Sequence, residues 1–426
     1  MKIFWNFFYD FLFLPIFYLA ISLGGIFNKK IREGIKGRNR LFEELILNVT
    51  TLDRTKKRIW FHSSSMGEFE QAKPIIEQLR KNPNLYIVVS FFSPSGYNNS
   101  KKYPYADLIT YIALDTRINA KKFLDILKPD LAVFMRYDIW PNHIWQLHHK
   151  KIPVFLVDAT MKKSSPRKLP GLKSFHKSLY KDITKILAVS EADAEGFKSF
   201  GCSDDQVSVV GDTRFDRVYQ KSLSAKERNL IKSSVLENKK VFVAGSTWEQ
   251  DEEVILPAFI KLAKFEKDVI MIIAPHEPTI IHLEKIENEF AGNLKTIRFS
   301  HLNNYSGERV IIVDSIGILL TLYTYADVAF IGGSFKQNVH NVLEAAVYGV
   351  PVFYGPKIEN SQEAVKLIEY GGGMIIGNKK EAYRRMRSLF SDEKHRQERG
   401  KNAYDYVQKN IGTTQKIINE LSNLRA

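Results

Sequence analysis

From about residue 50 onward the apolar residues come in short unbroken runs, separated by longer stretches whose apolar positions fall three or four apart. Unbroken apolar runs are the mark of strands buried on both faces, and the wider spacing is that of helices covering them. In the first half the expected strands are RIWFHS, LYIVVSFF, LITYIAL, LAVFM, PVFLVDA and KILAVS, while EQAKPIIEQLRK and RINAKKFLDILKP have helical spacing. The alternation restarts with KVFVAGS, VIMIIAP, RVIIVDS, DVAFIGGS and VPVFYG. Between them lies VVGDTRFDRVYQKSLSAKER, charged and read as turn-rich. The pattern predicts an α/β chain of two Rossmann-like domains joined near residues 212–225. Ligands are then expected where the C-terminal ends of the strands look into a crevice. Transferases, epimerases and binding proteins all use this architecture, so it does not fix an activity.

Before residue 50 the pattern is different. IFWNFFYDFLFLPIFYLAISLGGIF, residues 3–27, is long enough for a bilayer span, although Asn6, Asp10 and Pro15 interrupt it. NKKIREGIKGRNR follows, with six Lys/Arg to one Glu. A basic flank after an apolar run holds that side in the cytoplasm and draws anionic lipid headgroups. A cleaved signal peptide would carry its charge ahead of the run, where only Lys2 stands. The expected organisation is an anchor with its basic flank over 1–40, a first domain over 41–215, and a second over 216–426 that includes a C-terminal helix. Whether the anchor spans the bilayer or lies on it is left open by the sequence.

Composition narrows the partners. The chain has 426 residues and a formal net charge of +15, which favours an anionic partner. Nucleic acid is not expected, because the basic residues are spread through both halves without zinc-finger spacing or an RRM-like aromatic motif. The single cysteine, Cys202, excludes an internal disulfide and a cysteine-based zinc site.

Five loops carry candidate chemistry. FHSSSMGEFEQAKP joins a strand to a helix, with Gly67 expected in a tight turn and Glu68 beside the helix N-terminus. Glu68 there either complements the helix dipole or serves as a general base. In VFVAGSTWEQDEE, Ser246 and Thr247 could present amides and hydroxyls to a phosphate. IIAPHEP places Pro275 and His276 after a strand, and VDSIGILLTLY offers backbone amides at Ile316, Gly317 and Ile318. GGSFKQNVHNVLEAAVYGVPVFYGP sets His340 and Asn341 near a phosphate and Glu344 where it can bond two adjacent ribose hydroxyls. A capped, well-packed helix explains Asn341 and the alanines, but less readily His340, Glu344 and the double glycine together. No Asp-x-Asp stands near these loops, so the sequence calls for no metal and no other cofactor.

Taken in order, HSSSMGE, RYDIWPN, SEADAEGF, VVGDTRFD, GSTWEQDEE and HNVLEAAVYGVPVFYGP, together with the basic N-terminal anchor, resemble the bacterial 3-deoxy-D-manno-octulosonic acid (Kdo) transferases over nearly the whole chain. The resemblance implies a GT-B fold, with two Rossmann-like domains facing a central cleft. It implies inverting transfer of Kdo from a CMP-Kdo donor to the lipid A precursor in lipopolysaccharide synthesis, at the cytoplasmic face of the inner membrane. It also implies that Glu68 accepts the proton, with Arg136 and Arg214 as further catalytic positions. CMP would lie against Pro275, His276, Ile316, Gly317, Ile318, Asn341, Val342, Leu343 and Glu344. The chain departs from the pattern where Pro275–His276–Glu277 replaces Pro-Arg-His, and where Arg136 replaces a carboxylate while Asp138 keeps the second acid. The glycine-rich loop before His340 is also shortened. Competing readings are a GT-B transferase using another nucleotide sugar and a non-catalytic binding module.

Overall fold

The computed structural model describes residues 2–50, 52–53, 55–162 and 164–423. They divide into two compact units, Met1–Arg217 with Gly412–Ala426, and Val218–Ile411.

In the first unit the strands are β1 (Lys57–Ser63), β2 (Leu85–Phe91), β3 (Leu108–Tyr111), β4 (Leu131–Met135), β5 (Val154–Ala159), β6 (Lys185–Ala188) and β7 (Val207–Val209). They form one sheet in the order β3-β2-β1-β4-β5-β6-β7, and every pair is parallel. Successive residues of β1 face opposite cores. Ile59 and Phe61 share a core with Phe69 and Ile76 of the helix Met66–Leu79, while Trp60 packs with Phe123 and Phe134. This is why the strand reads as an unbroken apolar run rather than as an alternation.

The second unit repeats the scheme with β8 (Lys240–Thr247), β9 (Val269–Pro275), β10 (Thr296–Arg298), β11 (Val310–Ile312), β12 (Val328–Ile331), β13 (Val352–Tyr354) and β14 (Gly373–Ile375), in the order β10-β11-β9-β8-β12-β13-β14. The strand order reverses between β1 and β4 in one sheet and between β8 and β12 in the other. Chains leaving two such neighbours turn to opposite faces and open a crevice between them, which makes these pairs the natural ligand positions of each unit.

The observed elements depart from the expected ones at four places. The edge strands β7, β10 and β14, three residues each, were not anticipated. The junction read as turn-rich is largely the helix Thr213–Lys226. Gly67 lies inside the helix Met66–Leu79 rather than in a turn. The C-terminal helix Thr413–Asn423 belongs to the first unit, not the second, because Ile417 and Leu421 join the core beneath Phe69.

The N-terminal segment is helical from Lys2 to Phe27, with a π-helical stretch at Tyr9–Phe13. By length and composition Phe4–Phe27 could cross a membrane. One face of it is nevertheless docked on the first unit, within which it clusters instead of standing apart as a 1–40 anchor. Tyr9 and Leu14 are buried, the Tyr9 hydroxyl donates to Asp115 at 2.8 Å, and Asn142 donates to Asp10 at 2.7 Å. Asp10, one of the residues that interrupt the apolar run, is therefore a contact residue. Asn28 caps the next helix, Lys29–Lys36, through bonds from Lys30 and Ile31. Arg38 of the basic flank turns inward, donating to the Ile112 and Phe92 carbonyls and stacking on the Phe92 and Tyr111 rings.

Asp115 also accepts from the Asn142 and His143 amides and pairs with the His143 ring at 2.6 Å, so it holds the start of the helix Pro141–His149. Tyr9→Phe removes one donor to this buried carboxylate. It is expected to cost about 1.5–3 kcal/mol, the range for a hydrogen bond to a charged group, read as a fall in stability to denaturant.

Candidate active site

At the switch point of the first sheet, Glu68 stands in the first turn of Met66–Leu79 and is only 8% exposed. Its Oε2 accepts from the Ser64 amide at 2.6 Å and the Ser65 amide at 3.2 Å. Glu68 is thus part of a helix-capping arrangement and is also the acid presented at the end of β1. Burial, followed by the charge of Asp138, pushes its carboxyl up to about 7, against the pull of the two amides and Arg136. A carboxyl that exchanges its proton near neutrality suits acid–base work.

Asp138 comes from the loop after β4. Its Oδ2 lies 2.9 Å from His62 Nε2 and 3.2 Å from Trp140 Nε1, and it accepts from the Ser64 hydroxyl. Placing the His62 proton on Nε2 satisfies Asp138 and leaves Nδ1 to accept from Ser90 at 2.8 Å. Burial keeps His62 neutral by lowering its pKa. Burial alone would raise Asp138, but the His62, Ser64 and Trp140 bonds outweigh it and hold the carboxyl below its usual range. One carboxylate is thereby fixed as an anion while its neighbour is poised to titrate.

Arg136 has φ of 62°, in the left-handed region, and its amide donates to Val157 O at 2.7 Å. Its buried Nε has no hydrogen-bond partner among the described residues. Arg214 is not presented as a lone cation: its guanidinium grips the buried Asp212 at 2.6–2.9 Å. Asp158, also at positive φ, is bonded by the Thr213 amide and hydroxyl, and burial followed by Asp212 raises its carboxyl.

At the second sheet's switch point, β8 is irregular between Gly245 and Thr247, and Ser246 has φ of 53°. Such a bulge re-aims the loop that follows. Thr247 is fully buried with its hydroxyl donating to Glu252 at 2.7 Å, which corrects its reading as a phosphate hydroxyl. Glu252 in turn pairs with His282. After β12, Gly333 has φ of 99° and its amide donates to Asp251 at 2.7 Å, and a side chain on Gly332 would strike the Ser246 backbone. The double glycine is therefore required by close approach of the two loops.

His276 and His340 stack at 4.5 Å with ring planes 13° apart, and Trp248 packs on His276 at 4.7 Å. Trp248 Nε1 donates to His340 Nε2 at 3.1 Å, and Lys336 Nζ lies 3.2 Å from the Trp248 ring centre. Burial, then His276, lowers His340 to about 4. Glu344 lies in the four-residue helix Leu343–Ala346, bonded by Asn341 Nδ2 at 3.1 Å, and burial raises its carboxyl. Val342 and Leu343 are buried, and Gly317 with φ of 83° shapes the turn in which Ile316 is exposed. Asp138 was named only as an acid that keeps the family pattern, and His62, Trp140, Trp248, Asp251 and Lys336 were not named as functional from the sequence. Two motifs, RYDIWPN and GSTWEQDEE, contained four of them. Among the described residues no group of three or more His, Cys, Asp or Glu is arranged for a metal ion.

Residues 38–217 match the family described as 3-deoxy-D-manno-octulosonic-acid transferase (kdotransferase). A protein of Haemophilus influenzae named 3-deoxy-D-manno-octulosonic acid transferase is 25% identical, over 98% of this chain and 98% of its own. The chain is thus similar to Kdo transferases along nearly its whole length. A Fusobacterium nucleatum protein named bifunctional glycosyltransferase/methyltransferase is 28% identical over 80% of this chain, which spans 56% of that relative's length. In fold, this chain is similar to the UDP-GlcNAc 2-epimerase of Neisseria meningitidis bound to UDP-GlcNAc. The TM-score is 0.61 at 16% identity, covering 87% of this chain and 100% of the other. The two parallel-sheet units resemble those of the GT-B fold.

Proposed function

We propose that this chain is a Kdo transferase, an inverting glycosyltransferase. It moves Kdo from CMP-Kdo to a hydroxyl of the phosphorylated, acylated disaccharide that precedes lipid A, in lipopolysaccharide synthesis. The observation that carries the reading is a buried carboxyl, Glu68, poised near neutrality at the switch point of the family-matched unit.

In this reading Glu68 takes the proton of the acceptor hydroxyl as its oxygen bonds to the anomeric carbon of Kdo. The bond from that carbon to the phosphate oxygen breaks on the opposite face, and its electron pair leaves with CMP. Asp138 holds the loop beside Glu68 and helps to keep its pKa high. Arg136 and Arg214 bring positive charge to the first unit's site, Arg214 partly offset by Asp212. In the second unit, Glu344 receives the ribose hydroxyls, the Ile316–Gly317–Ile318 turn meets the base, and Pro275, His276 and His340 lie by the phosphate. Ser246 contributes its backbone there. The apolar N-terminal helix is proposed to seat the enzyme on the cytoplasmic face of the inner membrane, with the basic flank near anionic lipid.

The test is incubation with CMP-Kdo, generated in situ, and the lipid A precursor, followed by mass spectrometry of the lipid. A gain of one or more Kdo residues supports the proposal. Stabilisation by UMP or UDP rather than CMP in a thermal-shift comparison would move the donor to another nucleotide sugar. An unchanged lipid despite CMP binding would favour a binding module.

The pH profile supplies a further check. The base must be deprotonated, so the rate is expected to climb with pH and level off above about 7. Asp138→Asn removes a negative neighbour that helps raise Glu68, so the acid limb should move to lower pH. A limb that stays in place would uncouple the two carboxyls.

A further inference from the structure

Beside Asp138 the first unit has an apolar cavity of about 350 Å3 that the chemistry at Glu68 does not use. The N-terminal helix forms one wall with Phe13 and Phe17, and the helix Pro170–Tyr180 forms another with Leu172 and Phe175. Asp138 and Trp140, which belong to the network around Glu68, form its polar end. The cavity is therefore greasy along its sides and polar at the end where Asp138 and Trp140 stand. Its size is at the lower end of the roughly 300–1,000 Å3 typical of small-ligand pockets, enough for part of one alkyl chain.

Two further features select the occupant. The segment leading into the Pro170–Tyr180 wall is basic: Arg167 reaches the Tyr137 carbonyl at 2.9 Å, next to Asp138, and Lys168 and Lys173 follow. The outward side of the N-terminal helix is also apolar, with Phe11, Ile16 and Leu19 exposed. A molecule suited to this place has an alkyl chain, anionic groups near the chain's root and a polar head reaching Glu68.

We propose that this cavity holds an acyl chain of the acceptor lipid and so sets the acceptor hydroxyl against Glu68. The proposal deepens the transfer reading and rests on it. The N-terminal helix then has a share in substrate recognition, since five of the twelve residues lining the cavity are its aromatic rings. Burying each methylene is worth about fourfold in affinity, so obstructing two of them is on the order of tenfold.

The test uses the full chain in detergent micelles and an acceptor carrying a photoactivatable diazirine within one acyl chain. Adducts are expected on Phe13, Phe17, Leu172 or Phe175, suppressed by unlabelled acceptor but not by phosphatidylglycerol. Leu172→Trp, at an exposed position on the rim, should lower the preference for acylated over deacylated acceptor about tenfold. Adducts elsewhere, equal suppression by phosphatidylglycerol, or an unchanged preference in a variant that melts like the parent would each overturn the assignment. Should the wild type label as expected yet transfer no Kdo to either acceptor, the lipid site stands and the transfer reading falls. Normal transfer without labelling in the cavity has the opposite meaning.

Discussion

Glu68→Gln is expected to lower Kdo transfer by roughly 10²–10⁴-fold, the usual contribution of a positioned base, while CMP binding and melting temperature stay near those of the parent. Glutamine is the informative replacement. Its carbonyl oxygen can still accept from the Ser64 and Ser65 amides, so the helix start remains capped. What it cannot do is take a proton. A purely capping Glu68 would tolerate the exchange, and transfer within tenfold of the parent would remove it from the mechanism. The acid limb of the pH profile should disappear in the same variant, because the group that titrates near neutrality is gone.

Glu344→Ala is expected to weaken CMP binding by roughly 1.5–3 kcal/mol, about ten- to more than a hundredfold. Asn341 orients the carboxylate from one side, and burial makes the loss of a ribose partner costly on the other. Comparing CMP with 2′-deoxy-CMP by calorimetry separates this from general damage. The parent should discriminate between them and the variant should not. Equal binding of both nucleotides by parent and variant alike would show that the ribose lies elsewhere.

Most of the fold was legible because strands such as β1 and β9 are buried on both faces and carry no polar interruption in their middle. Three of the four edge strands were not, since VSV, TIR and GMI are too short to show a period and pair on one side alone. The helix Thr213–Lys226 was obscured by its charged residues, several of which make ion pairs: Arg217, for instance, binds Glu70 and Glu77. Glu68 and Glu344 could be found from the sequence because each begins a helix just after a strand or glycine loop. The His62–Asp138 bond could not, for its partners are 76 residues apart. The Trp248, His276 and His340 stack is of the same kind, a product of three separate loops. Asp10 and Asn6 looked like flaws in a membrane span. Asp10 is bound by Asn142, and the neighbouring Tyr9 by Asp115, which no local pattern announces.

That docking has a consequence for how the protein is made. Asp10 leaves the ribosome long before the residue that will bind it, 132 positions later in the chain. At about 5–20 residues per second the delay is on the order of ten seconds. Throughout it the N-terminal helix has its apolar surface and a carboxylate, but no domain to rest on. Aggregation and premature membrane capture then compete with the wait for Asn142. Ribosome profiling with arrested chains on either side of residue 142 should therefore show a change in membrane association as the seam closes.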